Sequence, residues 1–160
     1  MSADLDPIVR TISLRCSLDK AFNIWTTRIH LWWPVARISA SQDPRSRIVL
    51  EPRVGGRLYE RADSGEEFVW GRVEVWEPPN RLVLSWFLNT DARRATEVNV
   101  RFSEQEDGTA TVRVEHGKWE HADEAVAEEH HACVAAPEGW RGILSEFAMY
   151  LPKTLQGEQT

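Results

Sequence analysis

His116 closes the stretch Ala110 to His116, "ATVRVEH", in which apolar and polar residues alternate. Read as a strand, the run places Ala110, Val112, Val114 and His116 on one face, and Thr111, Arg113 and Glu115 on the other. The imidazole therefore falls among apolar neighbours. With a pKa near neutrality it could act as the general acid-base of a cyclase, dehydratase or hydrolase, which makes His116 the candidate catalytic residue. In "RLYER" (57–61) the same parity pairs Glu60 with Leu58. A buried carboxylate must find a partner or keep its proton. Two polar groups on apolar faces are the pattern of an apolar pocket with a few orienting contacts. The same pattern also fits groups that are hydrogen-bonded within the core.

Other chemistry is poorly supported. A nucleophilic enzyme needs Ser or Cys beside an oriented base, and no G-x-S-x-G motif is present. Cys16 and Cys133 stand alone, without C-x-x-C spacing, and read as small apolar fillers in a reduced, cytoplasmic chain. Gly55-Gly56 lacks the surroundings of a phosphate-binding loop and reads as a turn. Glu124, Glu128 and His131 would share a helical face, yet no spacing matches a zinc pattern, so no metal and no cofactor are expected.

Eight tryptophans in 160 residues supply large, stiff surfaces suited to a lined cavity or an aromatic interface. Two of them are adjacent, in His30-Leu31-Trp32-Trp33-Pro34. Neighbouring side chains diverge by about 100° on a helix and by about 180° on a strand, so one compact core should not accept both rings. The proline turns Trp33 out of helical conformation, which suggests that Trp33 lines a pocket mouth; the alternative is that both rings plug gaps at the open end of the sheet. The net charge of −6 argues against nucleic acid, and no apolar run is long enough to span a membrane.

The elements that must position these groups are read from periodicity. Residues 8–15 alternate as a strand. Ser17 then caps a helix with the stripe Leu18, Ala21, Phe22, Trp25 and Ile29. Strands follow at 47–51, 57–61, 67–76, 81–87, 96–102 and 110–116, joined by turns at Ser64-Gly65, Pro78-Pro79 and "EQEDGT". In 81–87 the inward set is Leu82, Leu84 and Trp86; in 96–102 it includes Val98. In 67–76 the aliphatic residues Val69, Gly71, Val73 and Val75 are taken as inward, leaving Trp70 and Trp76 on the outer face, although a bulge would swap part of the set. Residues 123–134 form a helix with a poor stripe. From Pro137 the residues Trp140, Ile143, Leu144, Phe147 and Leu151 make an amphipathic helix that Pro152 should end. The chain reads as one α+β domain, residues 1–160, with its core at about 8–152.

The fragments "AFNIWT", "WWP", "EPRVGGRLYER", "WGRVEVWEPPNRLVLSW", "TEVNVRF", "VEHGKWE" and "GWRGILSEFAMYL" together resemble the SRPBCC, or START-like, superfamily. Within it, the match is to the group named for homology to the activator of the heat-shock-protein-90 ATPase. The resemblance implies a helix-grip fold: a curved antiparallel sheet of about seven strands around a long C-terminal helix, with two short helices after the first strand. It also implies a hydrophobic cavity between sheet and helix. Such proteins include lipid and hormone carriers, aromatic polyketide cyclases and a co-chaperone domain, so fold alone does not choose the function. The expectation is an apolar or aromatic ligand walled by Trp33, Trp86, Val98, Val114, Phe147 and Tyr150, with His116 and Glu60 as polar anchors. The alternatives are an enzyme using His116, or a co-chaperone-like module. An outer face bearing Trp70 and Trp76 would suit a protein partner or a homodimer.

Overall fold

The computed structural model describes residues 5–36, 38–88 and 91–158, with side chains as far as Leu151. Seven strands form one antiparallel sheet: β1 (Ile8–Leu14), β2 (Arg47–Leu50), β3 (Arg57–Arg61), β4 (Glu67–Glu77), β5 (Arg81–Trp86), β6 (Thr96–Glu104) and β7 (Ala110–Gly117). Their spatial order is β1-β7-β6-β5-β4-β3-β2, a meander closed on one side by the first strand. Helix α1 (Leu18–Thr26) and a single 3-10 turn (Ile29–Leu31) follow β1, and α2 (Glu124–Ala135) and α3 (Trp140–Glu158) follow β7. This is the α+β helix-grip fold.

Local chemistry accounts for the elements. Ser17 has extended backbone angles, and its side chain accepts a hydrogen bond from the Lys20 amide, which starts α1. Directly paired residues share a face, so the register lays Ile12 beside Val112, Val112 beside Phe102, and Val98 beside both Leu84 and His116. These side chains form the concave core, onto which α3 lays Trp140, Ile143, Leu144, Phe147 and Leu151. The helix runs through Pro152 to Glu158 instead of stopping at the proline. A proline deletes its own N–H bond to the preceding turn, and the bonds on either side can carry the helix past it.

Strand β4 departs from simple alternation. Leu58 pairs with Gly71 but Tyr59 pairs with Val69, which leaves Trp70 as an extra residue; Val73 pairs with Leu84 but Val75 with Val83, which leaves Glu74 extra. Each bulge reverses the facing of the residues beyond it. Gly71 and Val73 do point inward, whereas Val69 and Val75 lie on the outer side. Trp70 is fully buried against Trp33 and Trp86, and Trp76 packs edge-on against Phe22. The expectation of two outer-face indoles is thus overturned, and with it the interaction surface built on them.

The adjacent tryptophans are likewise both inside. Trp32, at the end of the 3-10 turn, donates its indole N–H to the Ile24 carbonyl and contacts Trp25 and Phe147. Trp33 donates to the Ile38 carbonyl and meets Trp70, Trp86 and Trp140. The segment is neither helix nor strand at this point, so neither periodicity forces the rings apart.

Gly71 has no room for a side chain, because a Cβ there would collide with the Ser85 carbonyl oxygen of β5. Replacing it by alanine should lower the free energy of unfolding by about 2 kcal/mol. A urea midpoint equal to that of the wild type would contradict this account of the bulge.

Candidate functional site

His116 sits at the end of β7 with 1% of its surface exposed. Three indoles surround it. Trp119 stacks on the ring at 4.3 Å between centroids, and Trp86 and Trp140 approach it edge-on. Lys118, in left-handed conformation, turns the chain back so that Trp119 lands on the residue three before it. The Trp119 indole N–H also donates to the His116 carbonyl oxygen at 2.9 Å.

Hydrogen bonding fixes the tautomer. An indole N–H can only donate, so the Trp140 Nε1–H must donate to His116 Nδ1, 3.0 Å away. The ring proton then lies on Nε2 and is donated to Thr96 Oγ1 at 2.7 Å. The Thr96 hydroxyl in turn donates to the Trp86 carbonyl at 3.3 Å. Every polar atom of this group is satisfied by the neutral imidazole. Burial pushes the His116 pKa from 6.5 down to about 3, and the nearby His130 and His131 add to the effect. The expectation of a catalytic imidazole titrating near neutrality is therefore corrected. Below pH 6.5 an unfolded chain would take up a proton that the folded one refuses.

A pocket of about 420 Å³ opens beside this group. Trp86, His116, Trp140 and Ile143 form its inner wall, joined by Leu88. Helix α2 contributes His130, Cys133 and Val134, and the loop after Pro34 contributes Ile38, Ser39 and Gln42; Glu138 and Gly139 complete the junction into α3. The α2–α3 junction is tight, since a Cβ on Gly139 would overlap the Val134 carbonyl. The pocket thus lies at the N-terminal end of α3. Further along the helix, Leu144, Phe147 and Leu151 are buried in the core against the sheet.

The eight residues expected to contact ligand separate accordingly. Trp86 and His116 line the pocket. Trp33 stands behind the wall, touching Trp86 and Trp140. Val98, Val114 and Phe147 show no exposed surface within the core, and Tyr150 is half-buried farther along α3. Glu60 is buried outside the pocket. Its carboxylate accepts from the Ala40 amide at 2.7 Å, from the Ser41 amide at 3.3 Å and from the Ser41 hydroxyl.

Sequence reasoning missed Trp119, the wall role of Trp140, and the contributions of α2 and residues 38–42. The poor stripe of α2 was the available signal, because a helix burying only Ala127 covers an opening instead of filling a core. Cys133 is an exposed thiol on that helix and lines the pocket; it is not an apolar filler. His131 donates to the Asp6 carbonyl, and among the described residues no three His, Cys, Asp or Glu side chains are grouped to hold a metal ion.

A curved sheet gripping a C-terminal helix, with a pocket at one end of that helix, defines a protein of the SRPBCC superfamily. Residues 15–152 match the family described as Activator of Hsp90 ATPase homolog 1-like protein, and the chain belongs to that family. No curated protein matches it. Among solved structures, the anthrahydroquino-gamma-pyrone synthase Txn09 complexed with SUM is 31% identical, with 90% of this chain and 96% of that one covered and a TM-score of 0.62. The self-sacrificing resistance protein CalC from Micromonospora echinospora shares the fold at 22% identity, 93% and 96% coverage and a TM-score of 0.65. CalU16 from the same organism does so at 20% identity, 96% and 81% coverage and a TM-score of 0.59. Among the described residues no helix is long and apolar enough to cross a membrane.

The buried neutral imidazole has a measurable signature. Because its folded pKa lies below its unfolded one, His116 leaves stability untouched above pH 6.5 and lowers it as the pH falls towards 3. Between pH 6.5 and 4.5 the wild type should lose about 2–3 kcal/mol more stability than His116→Gln. Equal losses in urea titrations across that range would refute the neutral assignment.

Proposed function

We propose that the chain is a cytoplasmic small-molecule-binding protein that holds a flat aromatic ligand in the pocket at the head of α3. One observation carries this reading: a cavity of about 420 Å³ walled by the indoles of Trp86 and Trp140, whose centroids lie 5.4 Å apart. That volume falls within the roughly 300–1,000 Å³ typical of small-molecule sites. Indole faces favour stacked or edge-on contact with another ring, and the polar lining groups Ser39, Gln42, His130 and Glu138 are half-buried or exposed. The similarity to Txn09, whose name describes work on a fused anthrahydroquinone and pyrone, supports a fused-ring ligand. Two free thiols agree with a reducing compartment.

Binding needs no reactive group. His116 has no free lone pair and carries no labile charge at neutral pH, so the geometry favours a wall over an acid-base role. The co-chaperone-like alternative loses the two indoles proposed for its contact surface, since both face inward.

Alizarin, a dihydroxyanthraquinone, is a suitable probe for calorimetry and native mass spectrometry. One equivalent should bind the wild type. Val134→Trp, which fills the pocket from the α2 side, should weaken binding by at least about tenfold while leaving the far-ultraviolet circular dichroism unchanged. Undiminished binding in that variant would remove the ligand from this pocket.

A further inference from the structure

Two of the three sources of the pocket wall belong to regular secondary structure: the sheet end with α3, and α2. The third, Ile38 to Gln42, has no regular structure, and its placement depends on contacts made behind it. Ile38 is held through its carbonyl by the Trp33 indole N–H at 2.9 Å. Ala40 and Ser41 turn their amides away from the pocket onto the buried Glu60 carboxylate. The Ser41 hydroxyl donates to the same carboxylate and accepts from the Asp43 amide at 3.1 Å. Gln42, a pocket residue, is left with φ of 59° and donates its amide to Ser39 Oγ. A non-glycine residue persists in that region only when its surroundings over-determine it.

We propose that Glu60 is a positioning residue for ligand selection: from outside the pocket it sets the position of the Ile38–Gln42 wall, and through that wall the size of ring system admitted. This inference rests on the binding role proposed above. The carboxylate is suited to the task because it is acceptor-only when ionised and offers enough lone pairs for three donors from one short segment. On this proposal a larger ring system occupies more of the pocket and meets more of the Ile38–Gln42 wall than a smaller one, so its affinity depends more on where that wall stands.

The test compares two probes, 2-naphthol and alizarin, on wild type and Glu60→Gln by calorimetry, together with amide hydrogen exchange at Ala40 and Ser41. The amide side chain keeps the volume but cannot accept all three bonds. Exchange at both amides should quicken, alizarin affinity should fall about tenfold, and 2-naphthol affinity should change less than about twofold. The change in the affinity ratio is the deciding quantity, because a general loss of structure lowers both affinities together. Unchanged exchange, or an unchanged ratio of the two affinities, overturns the assignment. If wild type binds neither probe, the binding role falls and takes this inference with it. Should Glu60→Gln not fold, Ser41→Ala decides: it removes one of the three donors and should shift the ratio by about threefold in the same direction, and no shift overturns the proposal.

Discussion

A neutral imidazole is the joint on which this structure turns. His116 lies on β7, accepts a hydrogen bond from the Trp140 indole on α3, donates one to Thr96 on β6, and through that hydroxyl reaches the Trp86 carbonyl on β5. Its own carbonyl receives the indole N–H of Trp119. Three strands, the principal helix and the turn leading to α2 therefore meet on one ring. Charging that ring would set an N–H against the Trp140 N–H and bury an ion without a partner. Burial and hydrogen bonding thus favour the same uncharged form, and the wall of the pocket inherits their rigidity.

Much of the architecture could be read from residue order. Alternation together with turn signals located the strands, Ser17 marked the start of α1, and the spacing of Trp140, Ile143, Leu144 and Phe147 marked the buried face of α3. Parity correctly placed Glu60 and His116 on the inner face. It failed at β4, where two bulges interrupt an otherwise even pattern, and a bulge leaves little trace in a run as rich in branched and aromatic residues as "FVWGRVEVW". Only the glycine hinted at it. The position of the pocket was not legible either. It depends on how closely α2 and α3 approach at Gly139 and on a loop hydrogen-bonded to Glu60, both of them contacts between residues distant in sequence or without periodicity.

The polar groups divide by depth. Three buried ones, Glu60, Thr96 and His116, have their atoms engaged with backbone, indole or hydroxyl partners and act as scaffold. Those at the pocket's edge, such as Gln42, His130 and Glu138, border the open space. A mostly apolar chamber with a few polar lining groups and no buried charge is the arrangement expected where recognition depends on shape and ring stacking.

Helix α2 places only Ala127 in the interior, yet three of its side chains face the chamber. Substitutions at those three positions would change the lining of the chamber while scarcely touching the buried interior. Under the binding role proposed above, changes on this helix would retune which molecule is accepted without disturbing the imidazole and its indoles. Diversity of ligands on an unchanging frame would then follow from where a single poorly buried helix happens to rest.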